Sequence, residues 1–387
     1  MPARVAGVRV VVAGGGYAGL ACLIELRKLA PRAQLHLIDP GAAHLKQTQL
    51  QEALRRPLDD LRVPFDEVAS RYGFEHHRQA LGEQGVFAAS ELRTWRDEGS
   101  VPLATGRLAF DYLVIATGVL PRERPHAARD GAPLYDQVDL RELEGARLVE
   151  EWLSRPDAGA GGASIVGGGA SGVQYAFELA EVLRRRGMQA PVRLIDGEPR
   201  LLRGLPAGAH EYVTAQMEAA GIEYLPRTLF LAQQDARMRV RAVDGGDERE
   251  LGSGLTLLFG GVAAYPFELR ADRYGRIVLD GTALATVYAA GDCVRYAARG
   301  LDAMTAQAAV RKGKHVAANI ARAHRGRTPV PYVFQELGYV VSLGSLDAVG
   351  WVLVRENLLR GVAATAMRRL VEAQYDLFVE GLDTYVL

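Results

Sequence analysis

The chain has 387 residues, more than the roughly 250 to 300 at which one hydrophobic core stops growing, so two or more domains are expected. Basic and acidic residues balance at 46 each, so no global field draws the protein toward nucleic acid, and nucleic-acid binding is not expected. The two cysteines, Cys22 and Cys293, are too few and too far apart for a disulfide framework or a zinc cluster, so no metal site is expected and the cytoplasm is the default compartment.

In chain order, "RVVVAGGGYAGLACLIELRKLAP" comes first, from Arg9 to Pro31. Its uncharged apolar window, Val10 to Ile24, is shorter than the roughly 18 residues of a spanning helix and lacks a signal-cleavage pattern. It reads as a valine strand, a glycine turn and a helix carrying Leu20, Leu23, Ile24 and Leu26, followed by the strand "LHLID" ending at Asp39. "FDYLVIATG" is an apolar run stopped at Thr117 and Gly118. From Ser164, "SIVGGGASG" repeats the first pattern: its helix puts Val173, Ala176, Phe177, Ala180 and Leu183 on one face, Gly187 stops it, and "VRLID" ends at Asp196. "LTLLFGG" closes this half at Gly260 and Gly261. "ATVYAAGDCV" is a buried-strand pattern ending at Gly291 and Asp292, and "MTAQAAVRKGKHVAANI" reads as a helix beginning near Thr305. From about Pro331 the strands "YVVSLGS" and "VGWVLV" precede a helix from about Leu358 to Val379, with Leu359, Val362, Ala366, Leu370, Ala373 and Leu377 forming an apolar stripe.

The repeat carries the argument. Each copy fits G-x-G-x-x-G, as Gly14, Gly16, Gly19 and as Gly167, Gly169, Gly172, and each has an acid at the end of its second strand. The first glycine allows the turn, the second lets backbone approach a pyrophosphate, and the third lets helix and strand pack closely. The helix N-terminus offers free N–H groups and a positive dipole end to phosphate. Asp39 and Asp196 are placed to accept hydrogen bonds from a ribose diol. One glycine turn can merely join strand to helix; two copies, each with strand, helix and acid, point to two dinucleotide sites.

These two motifs, the ATG-type crossover and the late Gly-Asp pair together resemble the two-dinucleotide-binding-domain flavoproteins, the family of glutathione reductase, ferredoxin reductases and type II NADH dehydrogenases, over about residues 8–330. The resemblance implies an α/β chain of two Rossmann-like dinucleotide-binding domains in the glutathione reductase-like FAD/NAD(P)-binding fold, plus a small C-terminal α+β region. The FAD-binding domain would take residues 1–124 and 263–330, the NAD(P)H-binding domain 125–262, and the C-terminal strands and helix 331–387. It further implies that Gly14, Gly16, Ala18, Gly19 and Asp39 hold the ADP half of FAD, that Thr117 and Gly118 line the crossover, and that Gly291 and Asp292 hold the ribityl chain. Thr305 and Ala306 would lie beside the flavin. Gly167, Gly169, Ser171, Gly172, Asp196 and Gly260 would bind the nicotinamide cofactor, with NADH preferred to NADPH because Asp196 repels a 2′-phosphate, although Arg200 and Arg203 lie close in sequence.

Missing residues narrow the branch. Disulfide reductases and sulfide:quinone oxidoreductases of this family use a cysteine pair, and neither "DPGAAHLKQTQLQEAL" nor residues 120–262 contain cysteine. What remains is similar to the type II NADH:quinone oxidoreductase group in "LIDPGAAHLKQTQLQEAL" and in the helix beginning "MTAQAAVRKGK". Two positions depart from that group: Arg311 stands for a second glutamine, and Gln174 for a glutamate after the second glycine motif. Gln174, Gln307 and Arg311 are the candidate catalytic residues. The implied enzyme is an FAD-dependent NADH dehydrogenase passing a hydride from NADH to FAD and then electrons to a small-molecule acceptor, quinone in this group. Other readings are a flavoprotein reductase acting on a soluble protein or biosynthetic intermediate, and a low-turnover FAD/NAD redox sensor. The tail helix is compatible with packing on its own domain, with a homodimer, or with peripheral contact at the inner face of the membrane.

Overall fold

Val10, Val11 and Val12 have no exposed surface, as β-branched side chains do in a strand covered on both faces. Their strand, Arg9–Ala13, is held in parallel register between Gln34–Ile38 and Tyr112–Ile115. This structure is a computed structural model and describes residues 7–122, 133–143, 145–155, 161–297, 299–300, 303–383 and 385. The chain divides into two units, one of residues 7–46, 62–120 and 263–336, the other of residues 47–61, 121–262 and 337–385.

The first unit is built on an eight-stranded sheet in the order Val294–Tyr296, Leu269–Ala271, Arg276–Leu279, Thr282–Ala289, Tyr112–Ile115, Arg9–Ala13, Gln34–Ile38, Phe74–His77. Helix Tyr17–Leu29 packs against helix Ala306–His324. Gly313 makes this possible, since a Cβ there would lie 2.2 Å from the Ala18 carbonyl oxygen. Val11, Ala13, Ile38, Leu113 and Ile115 share a buried core with Phe87, Leu92 and Trp95.

The second unit carries a five-stranded parallel sheet in the order Leu134–Asp136, Leu255–Leu258, Ala163–Val166, Val192–Ile195, Ile222–Leu225. Helix Ala170–Arg185 connects the two strands that carry the repeat. An antiparallel ribbon of Thr228–Gln234, Arg237–Ala242 and Arg249–Gly252 places Met238 and Val240 against Ile195. Two 3₁₀ segments, Gln47–Leu54 and Leu58–Leu61, also belong to this unit. They bring Arg55 onto Glu178 and Glu52, while Arg368 bonds Glu52 at 2.5 Å and Glu372 at 2.8 Å.

The tail forms the antiparallel strands Gly338–Ser342, Ala348–Val352 and Val354–Arg360, then helix Gly361–Val379. The sequence suggests a helix start near Leu358, but Leu358 and Leu359 pair with Trp351 and Gly350 as strand. Leu353, at φ +63°, makes the tight turn that extends this hairpin. The helix buries Ala364, Thr365, Tyr375, Phe378 and Val379. The stripe of Val362, Ala366, Leu370, Ala373 and Leu377 is exposed instead, with Val362 at 80% and Leu370 at 64%. Among the described residues, no helix is long and apolar enough to cross a membrane.

Candidate functional site

The two glycine turns have the same construction. Gly14 sits at φ +103° and donates its N–H to the Ile38 carbonyl at 2.8 Å; Gly167 sits at φ +112° and donates to Ile195 at 2.7 Å. Both conformations favour glycine. A Cβ on Gly19 would lie 1.9 Å from the Gly14 carbonyl oxygen, and one on Gly172 would lie 1.8 Å from that of Gly167. The first and third glycines are therefore required by the chain's own backbone.

The middle glycines are not. Gly16 and Gly169 cap helices Tyr17–Leu29 and Ala170–Arg185 with φ of −71° and −73°, values open to any residue. A Cβ at either would meet nothing within 4 Å. No atom of the described residues explains glycine at these two positions. Each leaves an open cradle at the N-terminus of a helix more than three turns long, where N–H groups and the helix dipole favour an anion. A dinucleotide pyrophosphate fits both.

The acids match as well. Asp39 accepts the N–H of Gly15 at 2.6 Å on one oxygen and that of Gly41 at 2.8 Å on the other. Asp196 likewise accepts from Gly168, and from Glu198 at 3.3 Å. Burial pushes both carboxyls above the ordinary aspartate range, and the backbone donors partly offset it. Each acid is thus oriented by its own glycine turn. Arg203 forms an ion pair with Glu198 at 2.8 Å.

Within the first unit, the crossover strand lies against the first turn and the Gly-Asp turn against the helix that follows it. A Cβ on Gly14 would strike the Ala116 carbonyl oxygen at 2.3 Å, which sets the strand before Thr117 and Gly118 directly beside the turn. The Thr117 hydroxyl donates to the Tyr265 carbonyl, and Gly118 adopts φ +76°. Gly291, at φ +85°, would bring a Cβ within 3.0 Å of Ala18, and Asp292 next to it is half-buried. Thr305 caps helix Ala306–His324, its hydroxyl oxygen accepting the Ala308 N–H at 3.2 Å. Gln307 and Arg311 lie one turn apart on this helix and are both half-buried. The Arg311 guanidinium lies 5.8 Å from the Phe334 ring centroid and donates to the Gln335 carbonyl at 3.4 Å. In the second unit, Ser171 lies in the first turn of its helix, Gly260 has open space where a Cβ would sit, and Gln174 donates to the Ser342 hydroxyl at 3.0 Å.

Three supporting side chains have no local signal in the sequence. His44 is buried with Nδ1 3.1 Å from the Gly15 carbonyl oxygen. Burial pushes its pKa down to about 4, so the neutral ring donates from Nδ1 and steadies the turn. Phe65 packs on Gly15, where a Cβ would come within 2.2 Å of its ring. The buried Lys312 ammonium donates to the carbonyls of Gly291 and Val294, each at 3.2 Å, and so fixes the Gly-Asp turn from below. Cys22 and Cys293 are both buried, and burial pushes both thiols up, the opposite of what a reactive thiolate requires.

Comparison with known proteins agrees with this construction. A type II NADH:quinone oxidoreductase of Staphylococcus aureus is 25% identical, over 97% of this chain and 96% of the relative. The sulfide:quinone oxidoreductase of Aquifex aeolicus superposes with a TM-score of 0.76 at 18% identity, covering 96% of this chain and 91% of the other. NDH2 of Plasmodium falciparum in complex with NADH also gives 0.76, at 13% identity, covering 95% and 94%. The expected fold of two Rossmann-like units is the fold of these structures. Residues 8–313, which contain both glycine turns and the Gly-Asp turn, match the pyridine nucleotide-disulphide oxidoreductase family, and the chain belongs to that family.

Proposed function

We propose that this oxidoreductase is an FAD-dependent NADH dehydrogenase that delivers electrons to a quinone. The observation that carries the reading is the pair of open cradles at Gly16 and Gly169, each followed by an acid locked to its own turn. When bound, the flavin and the nicotinamide supply the hydride and electron chemistry, and the protein's contribution is distance, orientation and polarity. In the first cradle, Gly16 gives the pyrophosphate of FAD its approach while Asp39 accepts from the ribose hydroxyls. Ala18, Gly19, Thr117, Gly118, Gly291, Asp292, Thr305 and Ala306 line the rest of that site. Gly169, Ser171, Gly172, Asp196 and Gly260 serve NADH in the second.

Asp196 sets the choice of nicotinamide. Its carboxylate accepts from both ribose hydroxyls and repels a 2′-phosphate, and the Glu198 carboxylate beside it adds to the repulsion while engaging Arg203. NADH should reduce the flavin faster than NADPH. Asp196→Ala should weaken NADH about 10- to 100-fold, as hydrogen bonds to a charged group contribute about 1.5–3 kcal/mol. Equal wild-type rates with the two cofactors would remove this role.

The acceptor is assigned from the relatives named NADH:quinone oxidoreductase and from the Ala306-Gln307 pair beside a half-buried cation. Arg311 is anchored to the Phe334–Gln335 segment and so offers a fixed charge for an oxygen that gains negative character on reduction. The test is stopped-flow reduction by NADH followed by reoxidation with a soluble quinone, in wild type and Arg311→Gln. Wild type should turn over, and Arg311→Gln should keep prompt reduction while its reoxidation changes severalfold. Prompt reduction with no quinone reoxidation in wild type would end the assignment in favour of a soluble acceptor.

The exposed stripe on helix Gly361–Val379 supports peripheral contact with a membrane, where such quinones reside. A second copy of the chain is the other occupant of that stripe. Wild type should float with anionic vesicles and Leu370→Glu should not. A stable dimer with no flotation would assign the stripe to self-association.

A further inference from the structure

At the outer edge of the eight-stranded sheet, three side chains converge that take no part in either dinucleotide site. His36 lies on Gln34–Ile38, and Glu75 and His77 lie on the edge strand Phe74–His77. The parallel register sets His36 opposite Glu75, and alternate residues of a strand share a face, so all three project from the same side. His36 Nδ1 lies 3.1 Å from His77 Nε2 and 3.4 Å from a Glu75 carboxylate oxygen, and the other Glu75 oxygen lies 3.9 Å from His77 Nε2. The ring centroids are 5.3 Å apart with the ring planes 29° from parallel, and the 3.1 Å approach is between a nitrogen of each ring.

A hydrogen-bonded cluster accounts poorly for three such contacts. A ring nitrogen carries at most one hydrogen, so His36 Nδ1 can donate either to His77 or to Glu75 but not fully to both. A cation between them would satisfy both nitrogens and the carboxylate at once. Tetrahedral zinc, with ligand distances of about 2.0–2.2 Å, separates its ligands by about 3.4 Å, close to the 3.1 Å and 3.4 Å that His36 Nδ1 keeps from His77 Nε2 and from one Glu75 oxygen. Imidazole nitrogen with one carboxylate suits zinc and its first-row neighbours and is a poor set for magnesium or calcium.

We propose that His36, Glu75 and His77 form a binding site for one divalent transition-metal ion, zinc being the expected occupant, with water completing the shell on the exposed side of Glu75. The ion would clamp the edge strand to its neighbour. That strand also receives the Asp39 N–H on the His77 carbonyl at 3.2 Å, so the clamp lies next to the first acid without touching the cradle. With three protein ligands rather than four, and with Arg9 near enough to act on His36, affinity should fall below that of a closed four-ligand site.

The full-length flavoprotein, stripped with chelator and desalted, should bind one equivalent of zinc chloride by calorimetric titration. Zinc should also raise its unfolding midpoint. His36→Gln and Glu75→Gln should each weaken binding at least tenfold and abolish the midpoint shift. Glu75 is 66% exposed, so Glu75→Gln should melt like metal-free wild type and distinguish a lost ligand from a lost fold. Cobalt in the wild type should give a visible spectrum of nitrogen and oxygen ligation at wavelengths beyond the flavin bands. Zinc binding equal in wild type and Glu75→Gln, or no binding above background, would overturn the site.

Discussion

Gly16→Val is expected to give a folded, colourless protein. The backbone at Gly16 lies at φ −71°, and a Cβ there meets nothing within 4 Å, so the substitution costs the fold little beyond a poorer helix cap, about 1 kcal/mol. The same side chain fills the cradle into which a pyrophosphate must come, and flavin content should fall from one per chain to less than about a tenth. Gly19→Val should behave differently, because its Cβ would lie 1.9 Å from the Gly14 carbonyl oxygen and must push helix Tyr17–Leu29 off its strand. Overpacking of this kind typically costs about 1–3 kcal/mol, and here it falls on backbone that cannot move aside, so that variant should lose solubility or melt early. Flavin absorbance per chain, with circular dichroism on the same samples, separates a blocked site from a damaged fold. Full flavin retention in Gly16→Val would remove the main support for the cofactor assignment.

What the sequence makes legible is local. A valine run, a glycine triplet, a helical period and a terminal aspartate lie within about thirty residues of each other, and their spacing follows from strand and helix geometry. That is why the two turns match in φ, in close approach and in acid partners. What stayed hidden depends on register between distant segments. His36 and His77 meet because two strands pair, and His44 reaches Gly15 because the chain doubles back after Asp39. Leu358 and Leu359 suit a helix by propensity, yet hairpin pairing claims them, a tertiary override of a weak local preference. The apolar stripe of the tail helix is visible in the sequence, but its period alone gives no sign that the helix packs through its other face.

The clearest case of such hidden register is the buried charge pair of the second unit, and breaking it should have the largest effect on stability. Glu178, 1% exposed, is held by Arg55, which follows the 3₁₀ segment Gln47–Leu54 about 120 residues earlier. Burial pushes the Glu178 carboxyl above the ordinary range, and Arg55 partly offsets this. Arg55→Met would leave that carboxylate buried without its cation, a change that costs about 3–5 kcal/mol. Glu52 should suffer less, because Arg56 and Arg368 also bond it. A carboxyl whose pKa is raised on folding binds its proton more tightly in the folded state, so its stabilising contribution is complete below the unfolded value and is lost as pH rises through the folded one. Removing Arg55 raises the folded pKa further. The deficit of Arg55→Met should therefore be greatest at neutral pH and shrink as pH falls toward the ordinary carboxylate range, where Glu178 is protonated in both proteins. Adding Glu178→Leu to Arg55→Met should recover most of the loss, since an apolar pair replaces a stranded charge. Urea unfolding of wild type, single and double variants across that range measures all three, and a deficit independent of pH and unrelieved in the double variant would show that Arg55 acts through packing.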